Sequence, residues 1–256
     1  MKLKRFLFLF LVSAFAAVPV SAAPAIPSGA MGAAESALER FKSDLLQDPA
    51  LFPSVKEADP DLLSVGGGFR IKRVSPALFS DGDTLLSISA PTEIWYFPIE
   101  LQGRSIAFVW IRQEGERFRE MAVGDAEGFS DAYLSAKNHL RQSELVIAGI
   151  TPYLVGFGND DGREYAIPAL SPERLAARGY RAGERIPSEI VGTFVKSKAE
   201  EQAANGPTRG GGDMLPPKPA AEPELPRYPL IGGAVLLFLA IVAGTMYRIK
   251  RRNPLP

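Results

Sequence analysis

The sequence predicts an α+β domain, an antiparallel sheet of about five to seven strands packed with flanking helices, followed by one C-terminal transmembrane helix. Three observations predict it. Short runs with alternating apolar residues, separated by turn residues, occupy much of residues 69–123. Apolar stripes at helical spacing stand before and after those runs. Both ends of the chain are hydrophobic.

The first element is a leader. Lys2, Lys4 and Arg5 precede an apolar core, Phe6–Val18, and Val20-Ser21-Ala22 offers small residues to a signal peptidase. Cleavage after Ala22 leaves an exported domain over residues 23–202. Ala34, Leu38, Phe41 and Leu45 then recur at helical spacing, and Asp48-Pro49 ends that helix. Gly66-Gly67-Gly68 precedes an extended run rather than a helix, with no Gly-Lys-Ser/Thr, so it reads as a flexible hinge and not a phosphate cradle.

Extended runs follow at Phe69–Ser75, Thr84–Ala90, Thr92–Leu101, Arg104–Gln113 and Arg117–Val123. A two-residue turn at Gln102-Gly103 fixes a register. It pairs Ile99 with Ile106, Phe97 with Phe108 and Trp95 with Trp110 on one face. On the other, Ile94 meets Ile111 and Tyr96 meets Val109, while Glu93 stands opposite Arg112. A slip of one residue would put Trp95 opposite Ile111 and lose the charge pair. Pro98 has no N–H for a ladder, so its strand is an edge or carries a bulge.

Phe129, Tyr133, Ala136 and Leu140 mark a second helix, expected against the aromatic sheet face. Leu145–Phe157 and Arg163–Pro168 read as one hairpin turned at Asn159-Asp160-Asp161-Gly162. Ser171-Pro172 starts a short helix that Gly179 stops. Ile186, Ile190 and Phe194 indicate the last helix. Residues 203–229 form a Pro/Gly-rich linker, flexible around Gly210–Gly212 and semi-rigid from Pro216. At about 3 Å per residue, residues 203–227 of it span up to roughly 75 Å.

Leu230–Tyr247 carries no charge, and as a helix it rises roughly 27 Å, close to the hydrocarbon thickness. Arg248, Lys250, Arg251 and Arg252 follow on that side alone, which places the short basic tail in the cytoplasm and the domain outside, in the periplasm or at the cell surface. Leu225-Pro226-Arg227-Tyr228-Pro229 lacks the Thr-Gly of sorting signals that a transpeptidase cuts, which favours a retained anchor.

The chain has 29 basic and 29 acidic residues; three basic residues belong to the leader and four to the tail, leaving 22 against 29 between them. An acidic domain of this kind argues against nucleic acid, whose binding needs clustered Lys and Arg. The absence of cysteine excludes thiol nucleophiles, zinc–thiolate sites and iron–sulfur clusters. One histidine excludes multi-histidine metal sites.

Candidate chemistry is sparse. His139, the only imidazole, sits at the margin of its helix stripe with no G-x-S-x-G elbow to support it. Asn159–Glu164 and Ser80–Asp83 hold oxygen ligands beside glycine but match no calcium loop. Asp81, Asp83, Asp125, Glu127, Asp131 and Glu164 are carboxylates from which a hydrolase would draw a pair. Arg70, Lys72, Arg104 and Arg119 form a basic stripe on the strands, read as a solvated face.

No catalytic residue, cofactor or metal is assigned. The expectation is a membrane-anchored, non-enzymatic binding or accessory protein of a cell-envelope complex, partnered with the membrane and an envelope or membrane protein. Its expected interaction surface is Glu93, Trp95, Phe97, Ile99 and Trp110, with Thr92–Leu101 as an open sheet edge. The alternatives are a carboxylate-based envelope hydrolase and a surface protein with a processed C-terminal tail.

Overall fold

The computed structural model describes residues 25–48, 55, 58–126, 128–205 and 214–218. The leader Met1–Ala22, the run Leu230–Tyr247 and the basic tail lie outside the described residues. Among the described residues no helix is long and apolar enough to cross a membrane.

The fold is α+β, a mixed sheet of nine strands with a few helices. The strands are β1 (Leu63–Val65), β2 (Phe69–Val74), β3 (Ser89–Leu101), β4 (Arg104–Glu114), β5 (Arg117–Asp125), β6 (Leu140–Ala148), β7 (Thr151–Gly158), β8 (Glu164–Pro168) and β9 (Ile186–Pro187). The helices are α1 (Ser28–Gln47), α2 (Phe129–His139), α3 (Pro172–Ala176) and α4 (Ser188–Asn205). The sheet order is β5-β4-β3-β2-β6-β7-β8-β9, with β1 also on β3.

The expected purely antiparallel sheet is corrected at one place: β2 and β6 pair in parallel. Two antiparallel meanders, β3-β4-β5 and β6-β7-β8, flank β2. The chain leaves the edge strand β5, crosses through α2 and returns beside β2, where a crossover connection permits a parallel partner. The strand count rises because Leu145–Phe157 is two strands: Gly149, at φ 59°, helps close a tight turn with Ala148 opposite Thr151. β1 and β9 are three and two residues long, too short to show a period.

Thr84–Ala90 is extended only from Ser89; the residues before it form a turn. Distant side chains hold that turn. Ser188 Oγ accepts the Leu85 N–H at 2.8 Å, and Glu164 Oε1 accepts the Leu86 N–H at 3.1 Å.

The Gln102-Gly103 turn forms with φ of 51° and 81°, and Leu101 and Glu100 face Arg104 and Ser105 as expected. A bulge then intervenes: Ile106 is left without an opposite residue, and Ile99 faces Ala107. From there the register is one off, with Tyr96 opposite Trp110, Trp95 opposite Ile111 and Ile94 opposite Arg112. Trp95 and Trp110 therefore lie on opposite faces, and Glu93 does not face Arg112.

β3 is an interior strand, not an edge. The Pro98 carbonyl accepts the Gly66 N–H at 2.8 Å, so its missing N–H faces the break between β1 and β2. The triglycine is likewise not a hinge but a close crossing. A Cβ at Gly66 would come 2.3 Å from Glu100 Oε1, and one at Gly68 would come 2.4 Å from the Phe97 ring.

Three clusters form the core. On one sheet face, α1 sets Ala34, Leu38 and Phe41 on Trp95, Phe97, Val109 and Ile111. Further along that face, Leu175, Val191 and Val195 of α3 and α4 pack on Val146, Tyr153 and Val155. Met214 and Leu215, inside the expected linker, complete this second cluster. The Met214 N–H donates to Thr151 Oγ1 at 3.1 Å, and the Tyr153 hydroxyl donates to the Met214 carbonyl at 2.8 Å. The opposite face carries α2, with Phe129, Tyr133 and Ala136 against Ile71, Leu154 and Ile167.

Candidate functional site

α2 has 11 residues, about 16 Å of helix. Eight strands side by side, about 4.8 Å apart, span more than twice that. One short helix therefore leaves part of its face uncovered, and Phe108 and Trp110 on β4, Phe69 on β2 and Tyr165 on β8 remain only partly buried.

The one-residue shift in register places Tyr96, Phe108 and Trp110 on this face. Tyr96 stacks on Phe108 at 5.2 Å between centroids, Phe108 meets Trp110 at 5.8 Å, and Phe129 of α2 approaches Tyr96 at 4.4 Å. These four rings, with Ile147, Pro152 and Ala169 among the other walls, enclose a cavity of about 130 Å³. Trp110 is partly buried, and its indole N–H finds no acceptor among the described residues.

Two arginines lie further along the sheet face that carries Trp110, outside the cavity lining. Arg112 follows Trp110 by two residues and so shares its face. Across the sheet, Arg112 stands between Ile94 on β3 and Arg119 on β5. Both arginines are exposed. Of the four residues in the predicted basic stripe, Arg70 donates to the Thr92 carbonyl at 2.7 Å, Lys72 pairs with Glu144 at 2.6 Å and Arg104 lies 3.6 Å from Asp131. Arg119 instead faces another arginine.

Beyond Phe129 a second cleft, about 240 Å³, is lined by Gly67, Gly68, Phe69, Tyr133, Lys137 and Ser143, among others. The Tyr133 hydroxyl donates to Glu100 Oε1 at 2.6 Å, and Lys137 Nζ lies 3.8 Å from the same oxygen and 5.0 Å from the Tyr133 ring centre. Burial, then the hydrogen bond to Glu100, pushes the Tyr133 pKa up. Burial does the same to Tyr96. Both phenols stay protonated at neutral pH, and that of Tyr133 is a donor to Glu100.

The five residues of the expected interaction surface are not brought together. Trp95, Phe97 and Ile99 are buried beneath α1, at 3%, 0% and 0% exposure. Glu93 is exposed, and Trp110 lies on the other face beside the cavity. Thr92–Leu101 lies inside the sheet, and the edge strand of that meander is β5.

The other candidates are dispersed. His139 is exposed at the end of α2. Asp160 pairs with Arg185 at 3.1 Å, and Asp161 accepts the Tyr165 hydroxyl at 2.6 Å; these bonds hold both carboxyl pKa values down. Asp83 pairs with Lys196 at 2.6 Å, and Glu164 accepts the Ser188 hydroxyl at 2.5 Å. Among the described residues no three His, Asp or Glu side chains gather as a metal-binding group. Asp125 and Glu127 side chains lie outside what is described.

The aromatic cavity was missed because its rings sit on alternate faces in the unbulged register. Pro98 gave no signal of the bulge, because its missing N–H faces β1 and β2 while the extra residue lies on β4. No protein-family model, no curated protein and no solved structure matches the chain.

Proposed function

We propose that this chain is a single-pass, extracytoplasmic binding protein, an accessory factor of a cell-envelope complex rather than an enzyme. Leu230–Tyr247 is its anchor, with Arg248, Lys250, Arg251 and Arg252 on the cytoplasmic side. The observation that carries the binding reading is the half-open aromatic cavity at Tyr96, Phe108 and Trp110, on a sheet face where Arg112 and Arg119 stand opposite each other. Apolar concavities flanked by polar groups are where proteins usually take ligands and partners. Of the six carboxylates a hydrolase would draw on, Asp83, Asp131 and Glu164 are engaged with Lys196, Arg104 and Ser188.

The test is mild crosslinking of the tagged full-length protein in its own membranes, followed by mass spectrometry of what is recovered. One stoichiometric membrane or envelope protein is expected. Recovery of the intact bait alone would sink the reading and turn attention to hydrolysis of envelope polymers. Resistance of the protein to carbonate extraction checks the anchor, and protease accessibility of the domain in intact spheroplasts checks the orientation.

A further inference from the structure

Cross-strand neighbours of like charge destabilise a sheet, yet Arg112 and Arg119 stand directly opposite each other on an exposed surface. Arg117 adds a third guanidinium on the same face, opposite Glu114, so the block carries a net positive charge. It does so in an exported part with an excess of acids, 22 basic residues against 29. The bulge at Ile106 is the local cause, because it leaves Ile94 where Glu93 would otherwise balance Arg112.

Trp110, two residues before Arg112 on β4, is one wall of the cavity, whose volume is about 130 Å³. That suits one aliphatic or proline side chain between aromatic walls. Trp110 and Arg112 are two residues apart on one strand, so their side chains are about 6.6 Å apart along it. An extended ligand has the same repeat.

We infer that the Trp110 face is a docking surface for an extended acidic peptide segment of the partner, which sets an aliphatic or proline side chain in the aromatic cavity and a carboxylate, two residues away, against Arg112 and Arg119. The inference rests on the reading of the chain as a binding protein. The planar guanidinium pair suits a carboxylate, while three arginines are too few to hold a long polyanion.

The experiment uses the full-length protein in detergent with both tryptophans replaced biosynthetically by 5-fluorotryptophan. The chain contains only Trp95 and Trp110, so fluorine NMR gives two signals, assigned with Trp110→Phe. The probe is the capped peptide Gly-Leu-Ser-Glu-Ser, with Glu→Gln and Leu→Gly versions as controls. The expected result is a saturable shift of the Trp110 signal with Trp95 unmoved, and affinity about tenfold weaker for either control peptide. Arg119→Gln should weaken binding while raising the melting temperature, a pairing of signs that a purely structural arginine would not give. No saturable shift, equal affinity for the Glu and Gln peptides, or a melting temperature lowered by Arg119→Gln would each overturn it. The crosslinking experiment separates the two claims. A partner captured equally by wild type and by Arg112→Glu/Arg119→Glu removes this surface but leaves the accessory role, whereas wild type that captures nothing removes both.

Discussion

The two faces of the β3-β4-β5 meander are made by the same three strands and have opposite fates. Over one face runs α1, 20 residues long, whose Ala30, Ala34 and Ala37 let it approach closely. Beneath it Phe97, Ile99, Ala107, Val109 and Ile111 have no exposed surface. Over the other face α2 is 11 residues long, and Ile94, Phe108 and Trp110 remain only partly buried. Hydrophobicity alone does not separate them, since both faces carry aromatic residues. The length of the covering helix does. A rich apolar face under a long helix is core, and a similar face under a short one is an available surface.

The sharpest way to break that comparison is to truncate one ring on each side. Phe97→Ala should cost about 3–5 kcal/mol, as expected for a fully enclosed phenylalanine. Phe108→Ala, on the partly covered face, should cost about 1–3 kcal/mol. Urea unfolding of the two variants measures the difference. Equal losses would mean that the α2 face is as much core as the other, and the argument for a binding surface there would fail.

A third kind of covering sharpens the contrast. Met214 and Leu215 close the far end of the α1-side face, over β7, and do so with a buried polar contact to Thr151 as well as by packing. Thr151→Val keeps the shape but removes the acceptor of the Met214 N–H. The expected loss is about 1–2 kcal/mol, accompanied by faster proteolysis between α4 and Met214. Unchanged proteolysis would mean that the Tyr153 bond to the Met214 carbonyl and the packing of Met214 and Leu215 hold the segment without it.

How much of this was legible in the sequence follows from the range of each interaction. α1, α2 and the meander β3-β4-β5 were readable within a few residues because their apolar periods are local. So was the turn at Gln102-Gly103, which needs only two residues with positive φ. The parallel pairing of β2 with β6 was not, because it depends on where α2 returns the chain. Nor was the turn at Leu85–Ile88, which is held by Ser188 and Glu164 from far along the chain. At the candidate site the sequence singled out both Trp110 and Arg119. It could not set Tyr96 beside Trp110, because the bulge at Ile106 decides which face each ring occupies. Pro98 marked the break between β1 and β2, which its missing N–H faces, and not the bulge on β4.

Alkaline pH tests the covered part of the α2 face. The folded pKa of Tyr133 is raised by burial and by its bond to Glu100. Its protonated phenol therefore contributes stability that is fully present below about pH 10 and is lost as pH rises through the raised folded value. Urea midpoints measured from neutral pH to about pH 11 should fall for wild type and fall less steeply for Tyr133→Phe. A residual slope is expected in the variant, because Tyr96 is raised in the same direction by burial. Identical slopes would show that the Tyr133–Glu100 bond does not tie α2 to β3 in solution.

The smallest expected effect is the most diagnostic of the open end. Replacing Arg119 by Gln removes one member of the facing pair with Arg112, and relief of that repulsion should stabilise the domain by a few tenths of a kcal/mol, about 0.2–1 at most. The same change on the α1 side has the opposite sign: Arg40 pairs with Glu120 across α1 and β5, so Arg40→Gln should destabilise slightly, by about 0–1 kcal/mol. Arginines on either side of one edge strand thus make a matched pair, one placed where folding benefits and one where it does not. If both substitutions destabilise, Arg119 contributes to the fold like any paired surface cation, and the open face loses the feature that distinguishes it from an ordinary solvated sheet.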